Sequence, residues 1–322
     1  MKLAHSLAVA VAIAAGVLGS PVVAQDFPNK PVTLICPWPA GGSTDQHLRA
    51  VAQLAGKYLG QTVIVENKPG ASGTLGAIAL ATNAKPDGYT IAQIPLGVFR
   101  FPHMQKTQFD PRKDFTYIVG LSGYTFGLVV RPDSPWKSLT EFVAAGKARP
   151  GAISFGSTGN GTSPHLLMED LQLKTGAQFQ HVPFKGNSEG MNAFLGGHID
   201  AMSDASGWGT HVDAGKARLL ATFTEQRTKR WPTAPTAREQ GLDIVYPSPY
   251  GLAGPKGMDP KIVQILHDAF KKAIDDPEHQ KVLDKLDQIL WYRNSADYTK
   301  YAMDTYESER ATLDRLGLQR KD

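Results

Sequence analysis

Short apolar runs alternate with amphipathic stretches through most of the chain. The runs predict strands at residues 32–36, 63–66, 90–94, 116–120, 127–130, 153–156, 180–183, 201–203 and 219–223. Between the first two, Leu48, Val51, Ala52, Leu54, Ala55, Tyr58 and Leu59 recur at helical spacing. That helix should start near Ser43 or Asp45 and stop at Gly60, which suits a C-terminal cap. Residues 138–148 repeat the pattern, with Leu139, Phe142, Val143 and Ala144 facing inward and Ser138 or Thr140 as cap. Alternation of this kind predicts an α/β fold with parallel sheets. The tail has another texture: charged amphipathic helices are expected at 259–275, 277–290 and 296–316. A proline-rich link, 246–251 (YPSPYG), separates it from the strand-rich middle, and residues 123–127 form a second candidate crossover.

Four of the apolar runs end in glycine-rich turns that lead into helices. They are 37–45 (PWPAGGSTD), 67–76 (NKPGASGTLG), 156–165 (GSTGNGTSPH) and 183–190 (PFKGNSEG). The first and third are rich in Gly, Ser and Thr and contain no Lys or Arg. Such a turn gathers backbone N–H groups and hydroxyls above a helix N-terminus, where the helical N–H groups lack partners and the dipole is positive. That arrangement suits a carboxylate or another small anion.

Composition narrows the setting. A basic Met1-Lys2 start, an apolar run from Leu7 to Leu18, and Val22 and Ala24 at signal-peptidase spacing predict a signal peptide over residues 1–24 and export to the periplasm. Cys36 is the only cysteine, so the chain can form neither an internal disulfide nor a thiolate metal site; a small buried residue at a strand end is expected. The 42% hydrophobic and 20% charged content is that of a globular protein, and the roughly 300 residues left after the signal are enough for two domains of ordinary size. Net charge is +4 with no basic stripe interleaved with aromatics, which argues against nucleic-acid partners. The histidines lack metal-ligand spacing, so no metal and no cofactor is expected.

Eight strings, in order along nearly the whole mature length, resemble the periplasmic receptors of tripartite tricarboxylate transporters, the Bug receptors. They are FPNKPVTLICPWPAGGSTD (27–45), VENKPGASGTLGA (65–77), KPDGYT (85–90), ISFGSTGNGTSPHL (153–166), HVPFKG (181–186), GGHIDAM (196–202), AGKARLLA (214–221) and PTAREQGL (235–242). The resemblance implies a two-lobed, type II Venus-flytrap periplasmic binding protein fold, each lobe a mostly parallel sheet flanked by helices. Lobe 1 would be discontinuous, residues 25–125 plus 250–322, and lobe 2 would be 126–249. A carboxylate would sit between the first and third turns, and a monomer would hand it to membrane transporter subunits. Carried over, the site takes Trp38, Pro39, Ala40, Gly41, Gly42, Ser43 and Asp45 from the first turn. It takes Ser157, Thr158, Gly159, Asn160, Gly161, Thr162, Ser163 and His165 from the third, with Gly186 and Asp204 at neighbouring strand ends. Gly41, Gly42, Gly159 and Gly161 permit positive φ and close backbone approach. Asp45, which would repel a carboxylate, is expected to accept backbone N–H groups at the helix start. His165 is either a neutral donor to the ligand or packed behind the turn.

One departure concerns the ligand. Where the family commonly carries small hydroxyl residues, this chain has PLGVFRF (95–101). As a cleft loop, Leu96, Gly97 and Phe99 would form an apolar wall, Arg100 could pair a second carboxylate, and Trp38 and Trp208 could add aromatic surface or brace the lobes. The ligand expected is a carboxylate with an aromatic or otherwise apolar body. A sensory receptor feeding a signalling partner is the alternative role. A serine hydrolase using Ser188 is a more distant one, because 186–190 (GNSEG) matches G-x-S-x-G but no HGGG-type segment precedes it.

Overall fold

A computed structural model describes residues 27–320; the expected signal peptide lies outside the described residues. Strands β1 (Val32–Cys36), β2 (Val63–Asn67), β3 (Thr90–Ile94) and β4 (Phe115–Tyr124) come first. They are followed by β5 (Phe126–Val130), β6 (Ser154–Ser157), β7 (Gln180–Pro183), β8 (Ala201–Ala205) and β9 (Arg218–Thr222), then β10 (Ser248–Pro255) and β11 (Ile289–Arg293). They form a six-stranded sheet, ordered β11-β4-β10-β3-β1-β2, and a five-stranded sheet, ordered β7-β6-β8-β5-β9.

The sheets are mixed, not mostly parallel. β1 pairs parallel with β2 and β3, and β6 with β7 and β8, as strand–helix alternation predicts. β10 lies antiparallel between β3 and β4, and β5 antiparallel between β8 and β9. The cause is the route of the chain. It leaves the first sheet at the end of β4 and re-enters at the start of β10, with Ser248 opposite Tyr124, so the two strands must run in opposite senses.

Helices α1 (Ser43–Leu59), α2 (Leu75–Thr82), α3 (Gly97–Met104), α4 (Leu139–Ala148), α5 (Ser163–Thr175), α6 (Asn187–Leu195) and α7 (Gly209–Asp213) cover the sheets. α8 (Pro260–Asp275), α9 (Pro277–Leu286) and α10 (Ser295–Leu316) complete the order. The apolar stripe of α1 is buried as its periodicity predicts except at Tyr58, which is exposed, and Gly60 closes the helix with φ +66. Leu266 and Phe270 of α8 share a core with Leu48 and Val51 of α1, which packs the tail onto the first sheet.

Three segments differ from expectation. The proline-rich link 246–251 runs into β10, a strand buried along its whole length, with Pro249 opposite Gly123 and a bulge after Tyr250. The helix expected at 277–290 stops at Leu286, because Asp287 turns left-handed (φ +48), and the chain then enters β11. Residues 97–104 coil into α3 instead of forming a cleft loop.

A buried polar chain runs beneath α1. Tyr250 Oη lies 2.8 Å from His47 Nδ1, His47 Nε2 lies 2.8 Å from His279 Nε2, and His279 Nδ1 lies 3.0 Å from the Ile274 carbonyl. With both imidazoles neutral, His279 donates to Ile274 and His47 to His279, which leaves His47 Nδ1 to share the single Tyr250 hydroxyl proton with Gln288 Oε1 at 3.0 Å.

Candidate functional site

The first turn carries the chain from β1 into α1. Gly41 adopts φ +82, and its N–H donates to Asp45 Oδ2 at 2.9 Å. Asp45 also accepts from Arg49 Nε (3.0 Å) and Asn67 Nδ2 (2.8 Å). Burial opposes ionisation of Asp45, but these donors outweigh it and hold the carboxyl below its ordinary value. Asp45 therefore shapes the turn from behind and does not cap α1. The cap is Gly42, in extended backbone (φ −68, ψ 166) and not at the positive φ expected of it. The unpartnered first-turn N–H groups of α1 are left facing forward.

The third turn repeats the device from β6 into α5. Gly159 (φ +120) and Gly161 (φ +72) turn left-handed, and Thr162 Oγ1 donates to the Gly159 carbonyl at 2.7 Å. His165 packs behind the turn: Nδ1 accepts the Gly161 N–H at 3.1 Å, and the ring stacks on His181 at 4.1 Å. Ser157 Oγ is 2.7 Å from His181 Nε2, which also removes that hydroxyl from the cleft.

Between the two turns lies a cavity of about 600 Å³, its open mouth included. Trp38, Pro39, Gly42 and Ser43 line it from the first turn, and Thr158, Thr162 and Ser163 from the third. Leu96, Gly97 and Asp204 also line it. No Lys, Arg or His is among the described residues of the wall. The Trp38 indole N–H is buried without an acceptor among the described residues. Its ring is seated over Gly73, where a Cβ would stand 2.7 Å from the indole.

Several expected residues are placed elsewhere. Ala40, Gly41 and Asn160 are exposed. Asp45, Ser157, Gly159, Gly161, His165 and Gly186 support the wall without lining it. Phe99 is 1% exposed, in the core beside Tyr117 and Tyr301, because coiling of α3 turns it away from Gly97. Trp208 is fully buried, donates to the Asp204 carbonyl at 3.0 Å and lies 4.6 Å from Trp231; it braces β8. Arg100 does not line this cavity. It pairs with Glu309 of α10 and donates to the Gly161 carbonyl at 2.7 Å, tying α3 to the third turn.

Sequence reasoning missed other wall residues. Thr44 bonds Tyr124 Oη at 2.7 Å, and Ser163 meets Ser248 at 3.3 Å. Ser72 sits in the second turn with left-handed backbone (φ +51), as does Ala71 (φ +46), a conformation that costs non-glycine residues about 1–3 kcal/mol and clusters at functional sites. Asn187 carried a readable signal, since it follows Gly186 at the fourth strand-to-helix turn. Phe126 and Ser248 gave none, because only the crossovers bring them to the cleft. Ser188 lies in the first turn of α6, with no hydrogen bond to a histidine among the described residues.

Residues 47–318 match the family described as the tripartite tricarboxylate transporter family receptor, TctC. The chain belongs to that family. Among its relatives, the UPF0065 protein in the gbd 5′ region of Cupriavidus necator is 49% identical over 311 residues, which covers 96% of this chain and 95% of the relative. The periplasmic binding protein BugD superposes with TM-score 0.87 at 27% identity, covering 92% of this chain and 100% of BugD. MatC from Rhodopseudomonas palustris, solved with bound malate, gives TM-score 0.83 at 28% identity, covering 89% and 100%. The fold is thus the two-lobed periplasmic binding protein fold, and the TctC family is one of periplasmic solute-binding receptors, not of enzymes. No helix among the described residues of this receptor is long and apolar enough to cross a membrane.

Titration within the receptor has opposing signs. Burial lowers His47 to about 3 and His181 to about 4, from an ordinary 6.5. Burial raises Asp204 to about 7, against the pull of its Asn187 and Ala205 hydrogen bonds. Depressed histidines contribute stability above pH 6.5 that is lost as pH falls through their folded values. The raised Asp204 works the other way: its contribution is present at low pH and lost as pH rises through 7. Each group changes stability by about 1.4 kcal/mol per pH unit. His211 and His279 are lowered by burial as well, and Asp287 is raised by it, so depressed histidines outnumber raised aspartates and the balance is a loss of stability below pH 6.5. The unfolding midpoint of ligand-free protein is expected to drop between pH 6.5 and 4, with a shallower drop in His47→Gln. A midpoint that climbs on acidification would contradict this.

Proposed function

We propose that this chain captures a carboxylated small molecule with an apolar body outside the cytoplasm and presents it to the membrane subunits of a tripartite transporter. The observation that carries the reading is the pairing of two helix N-termini across one cavity whose wall offers hydroxyls and an unpaired indole N–H but no cation. Backbone N–H groups and neutral donors select a carboxylate without gripping every anion equally. Trp38, Leu96, Phe126 and the prolines at 39, 95 and 164 supply the apolar remainder of the wall. The malate bound to MatC supports a carboxylate as the ligand class.

The mechanism proposed is hinge closure. Lobe 1 comprises residues 25–125 with 250–322 and lobe 2 residues 126–249, and the turns meet when the lobes rotate together about the two crossovers. No covalent step is involved. A thermal-shift screen over aliphatic, aromatic, di- and tricarboxylates tests the reading. A ligand at about 100 times its Kd adds roughly 2.7 kcal/mol to the folded state, which moves the midpoint of a protein this size by several degrees. A response to amines, sugars or metal ions with none to any carboxylate would sink it.

A further inference from the structure

Asp204 is hard to reconcile with a wall built only for anions. It stands at the end of β8, lines the cavity and is 3% exposed. Its Oδ2 accepts from Asn187 Nδ2 at 2.7 Å and its Oδ1 from the Ala205 N–H at 2.7 Å. A carboxylate has about four acceptor positions, so roughly half its capacity remains. Among the described residues no Lys, Arg or His pairs with it, and none lines the cavity. A buried carboxylate without a counter-charge is costly unless a donor is brought to it. Burial raises its titration to about 7, against the pull of the Asn187 and Ala205 hydrogen bonds.

Resting on the carboxylate reading above, we propose that the ligand is a monocarboxylate that also bears a hydrogen-bond donor, a hydroxyl or an ammonium group, and that Asp204 receives that donor. The wall is divided by sign. The N-termini of α1 and α5 and the Trp38 indole present donors to the ligand's carboxylate, whereas Asp204, steadied by Asn187, presents an acceptor. Above pH 7, where Asp204 is ionised, a second ligand carboxylate at that place would meet a like charge with no cation to offset it. A hydroxyl or ammonium would instead complete the unfilled lone pairs of Asp204 with a charge-assisted hydrogen bond.

The test is calorimetric titration, above pH 8 where Asp204 is ionised, with short straight-chain alkanoates, their hydroxy and amino derivatives, and dicarboxylates of matching length. Donor-bearing monocarboxylates are expected to bind roughly ten- to hundred-fold tighter than the parent alkanoate and the dicarboxylate, the range for a hydrogen bond to a charged group. In Asp204→Asn that preference should collapse. Dicarboxylates that bind tightest in the wild type, or a ranking unchanged by Asp204→Asn, overturn the inference while leaving the carboxylate reading intact. Absence of binding by every acid overturns both. Should the variant fold poorly, the wild-type ranking alone decides.

Discussion

Gly186→Ala is expected to weaken ligand binding by about 10- to 100-fold while leaving the unfolding midpoint of the ligand-free receptor nearly unchanged. Gly186 has fully extended backbone (φ 177, ψ 177), which alanine adopts without strain. The obstacle lies across the cleft. A Cβ at this position would stand 2.6 Å from Pro39 Cγ in the first turn, and a proline ring cannot rotate aside. Overpacking of a close contact costs about 1–3 kcal/mol, and each 1.4 kcal/mol is a factor of ten in affinity. Pro39 follows β1 of one sheet and Gly186 follows β7 of the other, so under the hinge closure proposed above the penalty would fall on the closed form alone. Calorimetric titration with the tightest carboxylate, alongside thermal unfolding without ligand, separates the two effects. Equal affinity in variant and wild type would show that closure does not bring these turns together. Gly161→Val is a less clean probe. Its Cβ would meet Phe101 Cε1 at 3.1 Å across the cleft, but φ +72 also strains a β-branched residue in the open form.

Arg100→Met is expected to act on fold and capture together, and a second substitution can part them. Arg100 is 1% exposed between Glu309 and the Gly161 carbonyl. Removing it strands a buried carboxylate, and breaking a buried pair costs about 3–5 kcal/mol of stability. It also removes a charged donor from the third turn, worth about 1.5–3 kcal/mol, which weighs on capture because Gly161 belongs to the opposite lobe. Arg100→Met combined with Glu309→Gln should restore much of the stability and none of the affinity. Recovery of affinity in the double variant would make Arg100 a structural residue only. Arg100→Lys keeps the charge without the planar fork and is expected to fall between.

How much of this could be read from the chain depended on whether the cause was local. The first and third turns were legible because an apolar run, a left-handed glycine and a following amphipathic helix are all specified within about twenty residues of sequence. β10 was not, since its prolines resemble a linker and only pairing with β3 and β4 makes it a strand. Phe99 and Arg100 misled similarly. Both belong to α3, whose orientation is set by packing against α10, and nothing within PLGVFRF records where α10 will lie. Asp204 was located correctly on the wall, but its meaning came from the lack of any cation near it, a property of the assembled cavity.

The junctions between lobes carry one more consequence. β4 and β10 are hydrogen-bonded neighbours where the chain changes sheets, and Tyr124 stacks on Tyr250 with ring centres 4.5 Å apart. Two tethers laced side by side behave as adjoining pins on a door frame and not as a ball joint. In the hinge proposed above, swinging about their common line would keep that ladder intact, whereas twisting or sliding would tear it. The jaws would then need no search over orientations: each swing would return Gly186 to Pro39 and Gly161 to Arg100 in the same alignment.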